Sequence, residues 1–323
     1  MNVLTVMFGG IDLHYLERFD CRNLMQAQYG GIEVDELWQT RDVSTQITSQ
    51  LITGHDWRTS GVTGRKRYTD PQAEWLEKHV IRPRTYRKPF VHGLEVRTRP
   101  LREGLYRTLR PRLEKRNYLQ VDLQVPTLFE KIPDSQALYV PAYNPEPSWA
   151  LGRNILDPRR LPEFGEAGAV DLAEKNFAWR SRKFREALAG EPRQFLMTQF
   201  QILDSYQHLY LVYAEEPNLE RVEEIYRRID AFAGEICDLA AGTYDLVVFC
   251  SENGAANTSP GRTHYNRPFY SLSKPMDLGG RTNMRDFHDH LLSWVAMEPN
   301  PATLSTDAHR HPGGRGTVPV ELG

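Results

Sequence analysis

The run Leu246-Val247-Val248-Phe249-Cys250 constrains this chain most, because it is apolar at every position instead of every second one. Such a strand is buried on both faces, which is the mark of a parallel sheet covered by helices on either side. The runs Val3 to Phe8 and Phe195 to Leu203 share that character. Between Leu203 and Leu246, Leu219, Val222, Ile225, Ile229, Phe232, Ile236 and Leu239 recur at helical spacing behind the capping residue Asn218 and stop at Gly242. A second helix is expected from Val170 to Leu188, and a third through Ile47, Leu51 and Ile52, begun by Ser44 or Thr45 and closed by Thr53-Gly54. Shorter strands are expected from Gly31 to Leu37 and from Ala137 to Val140, and Val125 to Phe129 rejoins the core. Strands alternating with helices predict an α/β fold with a doubly wound, mainly parallel sheet and helices on both faces.

A chain of 323 residues, 40% hydrophobic, can bury one large core of this kind, and residues 1–296 read as that domain. The segment 57–118 stands apart by charge. From Trp57 to Arg116 it holds seventeen Lys and Arg against six Asp and Glu, while the net charge of the chain is -2. Pro71, Pro83, Pro89, Pro100 and Pro111 break it into short pieces, so it reads as a basic insertion or cap. Its aromatics, among them Tyr68, Trp75, Tyr86 and Tyr106, are interleaved with arginine and could stack bases, although no recognised nucleic-acid motif is present. Residues 297–323 turn to Pro, Gly, Thr and His and read as a flexible C-terminal tail, with Asp307, His309 and His311 facing solvent. The three cysteines form no CxxC pair, so neither a disulfide framework nor a thiolate zinc site is expected, and a reducing, cytoplasmic setting fits. No run reaches the roughly 18 apolar residues of a membrane span, so a soluble protein is expected.

The residues that could carry chemistry gather at the ends of the apolar runs. Asp204 and His208 lie four apart, and on a helical turn both side chains reach one cation, or else each other. Leu246 to Cys250 empties into Ser251-Glu252-Asn253-Gly254, and His264 follows in a loop rich in Gly, Pro and Thr. Val3 to Phe8 empties into Gly9-Gly10-Ile11-Asp12. Open α/β sheets bind ligands at this carboxyl edge. The helix start at Ser44 or Thr45 offers free N–H groups and a positive dipole end, suited to phosphate or sulfate. His288-Asp289-His290 sits on an expected helix with its two histidines on different faces, which predicts a polar helix surface, and Cys250 reads as a buried hydrophobe. Neither a Walker A nor a GxGxxG pattern is present.

Taken together these parts resemble the alkaline phosphatase superfamily, in particular its type I phosphodiesterase and nucleotide pyrophosphatase branch. That pattern has a first strand ending in Asp-Gly, a Ser or Thr nucleophile nine residues before a Thr-Gly, an Asp-x-x-x-His, a strand ending in Asp-His-Gly, and a last His. Here Thr53-Gly54 places the nucleophile at Ser44, with Thr45 the alternative. The resemblance implies that Asp204, His208 and His264 hold one divalent cation, zinc or manganese from the mixed His and carboxylate set. A second cation would need the first-strand Asp and the Asp-His pair, and those positions read Gly9, Glu252 and Asn253. Asp12 or Asp42 could substitute, and Glu252 could serve as a general base instead.

Two function classes stay open. One is a metal-dependent phosphoric ester hydrolase, a phosphodiesterase acting through a Ser44 phospho-enzyme on a phosphate-ester or other anionic substrate. The other is a catalytically degenerate member, a pseudoenzyme, that binds an anionic ligand, nucleic acid or a protein partner through its basic insertion.

Overall fold

The computed structural model describes residues 1–34, 43–64, 66–70, 72–73, 115–145, 161–256, 268–280 and 282–298. Most of the basic segment 57–118, most of the tail 297–323, Asp42 and His264 lie outside them.

The strands, in chain order, are β1 (Val3–Phe8), β2 (Gln28–Gly31), β3 (Lys66–Tyr68), β4 (Lys115–Asn117), β5 (Ser135–Leu138), β6 (Phe195–Phe200), β7 (Leu246–Cys250) and β8 (Phe269–Leu272). Six of them form one sheet in the order β2-β8-β7-β1-β6-β5. The strands β5, β6, β1 and β7 run parallel, while β8 is antiparallel to β7 and to β2. This is the mainly parallel α/β sheet that the strand and helix alternation predicts. Side chains alternate across it as a two-residue period requires. Leu4, Val6 and Phe8 of β1 pack on one side with Phe177 and Phe184 of the helix Leu161–Leu188 and with Ile229 and Phe232 of the helix Leu219–Ala240. Val3 and Met7 pack on the other with Ile47 and Leu51 of the helix Val43–Thr53 and with Phe287 and Trp294 of the helix Met284–Ala296. Each fully buried large apolar side chain contributes about 1.5–3 kcal/mol, so both layers are needed.

Register sets the working edge. Phe8 pairs with Phe200 and Met7 with Cys250, so β1 and β6 end level, β7 ends one residue earlier, and Gly9, Gln201 and Glu252 come to one rim.

Several elements differ from the expectation. The apolar run after Phe195 stops being a strand at Phe200, because its neighbour β1 turns away at Gly9, whose N–H donates to the Phe200 carbonyl at 2.9 Å. Asp204 is therefore carried by the first turn of a helix, Ile202–Gln207. The segment after Val125 forms a short helix, Leu128–Lys131, because Thr127 and Glu130 make a reciprocal capping box. Beyond Leu138 the strand cannot continue, since Tyr139 takes φ 57°, in the left-handed region. Of the strand expected from Gly31 to Leu37, only Gly31 lies in a strand, Gln28–Gly31, Glu33 makes an isolated bridge to Asn283, and residues 35–37 lie outside the described residues. Ser44 and Thr45 lie inside the first turn of their helix instead of capping it. The helix expected from Val170 begins at Leu161, with a break at Gly165. His288 and His290 are both buried, so that helix does not present the polar surface its sequence suggested. The three cysteines are free, and burial pushes the Cys21 thiol up to about 12. Among the described residues no helix is long and apolar enough to cross a membrane.

Beside the main sheet, β3 and β4 form a two-stranded ribbon flanking residues 74–114. Asp122 locks its base by accepting from Arg116 and from Arg67, the latter at 2.9 Å. Burial alone would raise the Asp122 carboxyl, but the bonds from Arg116 and from the Leu119 N–H hold it below the usual carboxylate range.

Candidate active site

Three chain segments meet at the rim. The loop after β1 brings Gly9 and Gly10, the helix after β6 brings Asp204, and the turn after β7 brings Glu252 and Asn253. Gly10 has φ 83°, which a side chain rarely adopts, and a Cβ there would lie 3.3 Å from the Asp204 Cα and 3.1 Å from Gln207 Oε1. Its smallness lets the first two segments touch.

Gly10 also orients the third. Its N–H donates to Asn253 Oδ1 at 3.0 Å, which fixes the amide so that Asn253 Nδ2 donates to Ser44 Oγ at 3.1 Å. Ser44 is half-buried at the start of its helix, and Asn253 is fully buried. The Ser44 oxygen thus accepts a hydrogen bond from a neutral amide. Thr45 is buried.

Glu252 is fully buried beside them, and its Oε1 accepts from Gln199 Nε2 at 2.9 Å and from Gln201 Nε2 at 3.2 Å. Neither the sequence pattern nor the resemblance singles out these two glutamines. The signal available was that amides at 199 and 201 bracket Phe200 at the end of an otherwise apolar strand.

Asp204 and His208 are buried together, with 3.6 Å between Asp204 Oδ1 and His208 Nε2. That is too long for a hydrogen bond. It is close to the separation of about 3.3–3.4 Å between two ligands of one tetrahedral cation bound at about 2.0–2.1 Å. His208 opens a π-helical stretch, His208–Val212, and such bulges are frequent at functional sites. A carboxylate and an imidazole in this spacing fit zinc or manganese. His264 lies outside the described residues, and among the described ones no group of three or more His, Cys, Asp or Glu converges.

The second cation's residues do not fit. Gly9 offers no ligand, Asn253 has its oxygen taken by Gly10, and Glu252 Oε1 faces two N–H donors. Asp12 is occupied elsewhere. Its Oδ1 caps the helix Leu13–Arg18 by accepting from the His14 N–H at 3.0 Å, and its Oδ2 accepts from the Ala255 N–H at 3.3 Å. Asp42 lies outside the described residues.

Behind the site runs a second network that the sequence did not announce. Gln207 donates to the Gly10 carbonyl at 2.7 Å and accepts from the Ala256 N–H at 2.8 Å. The Tyr226 hydroxyl donates to the Gly10 carbonyl at 3.2 Å and accepts from the Asp12 N–H at 3.1 Å. Burial pushes the Tyr226 phenol well above its ordinary value, so it remains a hydroxyl. Gln207 and Tyr226 hold the loops that place Asn253 and Ser44.

No family model and no curated protein matches the chain. Among solved structures it is similar to murine ectonucleotide pyrophosphatase/phosphodiesterase 5, at 13% identity and a TM-score of 0.43, covering 79% of this chain and 57% of that one. An inactive variant of the same murine protein in complex with AMP gives 12% identity, a TM-score of 0.42 and the same coverage. Phosphonoacetate hydrolase from Sinorhizobium meliloti 1021, in complex with phosphonoformate, gives 14% identity and a TM-score of 0.40, covering 79% of this chain and 56% of that one. These neighbours are alkaline phosphatase superfamily members. The chain spans less than two thirds of the length of each.

Proposed function

We propose that the chain is a metal-dependent phosphoric ester hydrolase, of phosphodiesterase type, that works with one divalent cation. The observation that carries this reading is the buried Asp204 and His208 pair, spaced as two ligands of one ion at the same strand rim as Ser44. Asp204, His208 and His264 would hold Zn²⁺ or Mn²⁺, which when bound supplies positive charge for a leaving phosphoryl oxygen. Ser44 is the nucleophile in this reading. Its oxygen forms a bond to phosphorus as the ester oxygen departs, and water then releases the phosphoryl group from Ser44. The helix start offers N–H groups for the non-bridging oxygens. The group of Asn253 that faces Ser44 is Nδ2, which donates and has no lone pair free to take a proton, so Ser44 attacks as a poorly activated hydroxyl whose proton leaves with the departing ester oxygen, and turnover is slow.

That same hydrogen bond favours a second reading, a catalytically degenerate protein that binds an anionic ligand through its basic segment. One experiment separates the two. The full chain is stripped with chelator, resupplied with Zn²⁺ or Mn²⁺, and assayed on an activated aryl phosphodiester beside His208→Ala and Ser44→Ala. Metal-dependent turnover that both substitutions abolish is the expected result. Turnover no greater than in the variants, with the cation still bound stoichiometrically, overturns the hydrolase reading for this substrate class.

A further inference from the structure

Glu252 is a buried carboxylate at the end of a central strand, in a corner where a cation would ordinarily neutralise it. Instead two amide N–H groups, from Gln199 and Gln201, converge on its Oε1. Hydrogen bonds to a carboxylate are charge-assisted, so amide donors can hold this oxygen without an ion. The arrangement is also sterically closed on the Gly9 side. A Cβ on Gly9 would lie 3.0 Å from Glu252 Oε1 and 3.1 Å from Gln201 Oε1, so the glutamine stands where a ligand-bearing side chain would have to grow. Asn253 completes the corner with its oxygen bound to the Gly10 N–H and its nitrogen to Ser44. A divalent cation needs lone pairs pointing inward, and here N–H groups point at Glu252 Oε1, the carboxylate oxygen nearest Gly9.

We infer that Gln199 and Gln201 seal the Glu252 corner against a cation, so that the chain takes up one divalent ion and no second one at any concentration. The inference rests on the one-cation reading of Asp204 and His208 only for the count of one. The seal itself depends on the two glutamines. Because Gln and Glu have nearly the same shape, exchanging both glutamines for glutamate turns the donors into acceptors without changing the space they fill. Three carboxylates would then face one another, an arrangement that a cation relieves.

The test is Mn²⁺ titration of the chelator-stripped full chain by calorimetry, with bound metal counted by elemental analysis. The chains compared are the parent, Glu252→Gln, His208→Ala and the double variant Gln199→Glu/Gln201→Glu. The expected result is one Mn²⁺ per parent chain, one in Glu252→Gln, none in His208→Ala and a second ion gained by the double variant. Two ions in the parent with one lost in Glu252→Gln overturns the seal. A folded double variant that gains no ion overturns it too, and if circular dichroism shows that this variant does not fold, the comparison of the parent with Glu252→Gln decides alone. No ion in the parent but one in the double variant would sink the one-cation reading while leaving the seal standing.

Discussion

The two corners of the site share Gly10 and differ in what their side chains point at one another. In the Asp204 and His208 corner a carboxylate oxygen and an imidazole nitrogen face each other at 3.6 Å, the spacing of ligands about an ion. In the Glu252 corner a carboxylate oxygen is met by amide donors at 2.9 and 3.2 Å, the spacing of hydrogen bonds. The backbone frame is common to both, three strands ending at one rim. What differs is whether the group facing a buried carboxylate oxygen stands beyond hydrogen-bond distance, as His208 does from Asp204 Oδ1, or donates to it, as the two glutamines do to Glu252 Oε1. One strand rim can thus carry two buried acids in different hydrogen-bonding surroundings without moving a strand.

The hinge between the corners gives the largest expected effect on stability. Gly10→Ala forces a residue with a Cβ into φ 83° and sets that Cβ 3.3 Å from the Asp204 backbone. The left-handed conformation costs about 1–2 kcal/mol and the crowding about as much again, so a loss of about 3 kcal/mol is expected in urea unfolding. Gly64→Ala is the control, because a Cβ there meets nothing within 4 Å, and it should change stability by less than about 0.5 kcal/mol. A Gly10→Ala chain as stable as the control would break the claim that the corners are locked together by close approach.

A second contrast is between two buried histidines. His208 faces a carboxylate, whereas His288, beneath the helix that carries Ser44, faces the Lys131 ammonium at 2.8 Å and meets the Leu51 carbonyl at 3.0 Å. With Lys131 able only to donate, His288 Nε2 accepts and its Nδ1–H donates to Leu51. Burial first, and then the Lys131 charge, lower the His288 pKa to about 4. The unfolded chain takes up this proton near pH 6.5 and the folded chain only near 4, so the unfolded state binds more protons between those values. The stability from a neutral His288 is therefore complete above about pH 6.5 and falls as the pH drops towards about 4, by at most roughly 3 kcal/mol. Unfolding midpoints measured across that window should flatten in His288→Asn. An unchanged slope would remove His288 from the account and leave Ser44's helix anchored by apolar packing alone.

How much of this was legible in the sequence follows the length scale of each signal. The strands at Val3 and Leu246 and the helix after Asn218 could be read because apolar periodicity repeats over many residues. The end of β6 could not, because it is set by where β1 turns away, a fact about a segment almost two hundred residues distant. Thr127 and Glu130 carry a local capping pattern that the apolar residues around them masked. At the site, the residues at 9, 204, 208, 252 and 253 were legible as lying at or just past the ends of apolar runs, and the structure brings those strand ends to one rim. The roles of Gln199, Gln201, Gln207 and Tyr226 were not, since an amide or a phenol declares itself only through the partner it meets.

Tyr226 gives the smallest effect and the sharpest reading of the comparison. Its hydroxyl accepts from the Asp12 N–H and donates to the Gly10 carbonyl, and Gln207 serves that carbonyl as well at 2.7 Å. In Tyr226→Phe, Gly10 keeps Gln207, while the buried Asp12 N–H and the second Nε2–H of Gln207, which donates to the phenol at 3.0 Å, lose their partner. The expected loss is about 1–2 kcal/mol, the penalty of leaving buried donors unsatisfied. Because Gln207 still holds Gly10, and Gly10 still holds Asn253, the cation affinity at Asp204 and His208 should stay unchanged in calorimetry. A variant that loses both stability and the cation would mean that the phenol, not the glutamine, sets the separation of the corners. The network behind the site would then be part of the ion's support instead of a brace for the loop that carries Asn253.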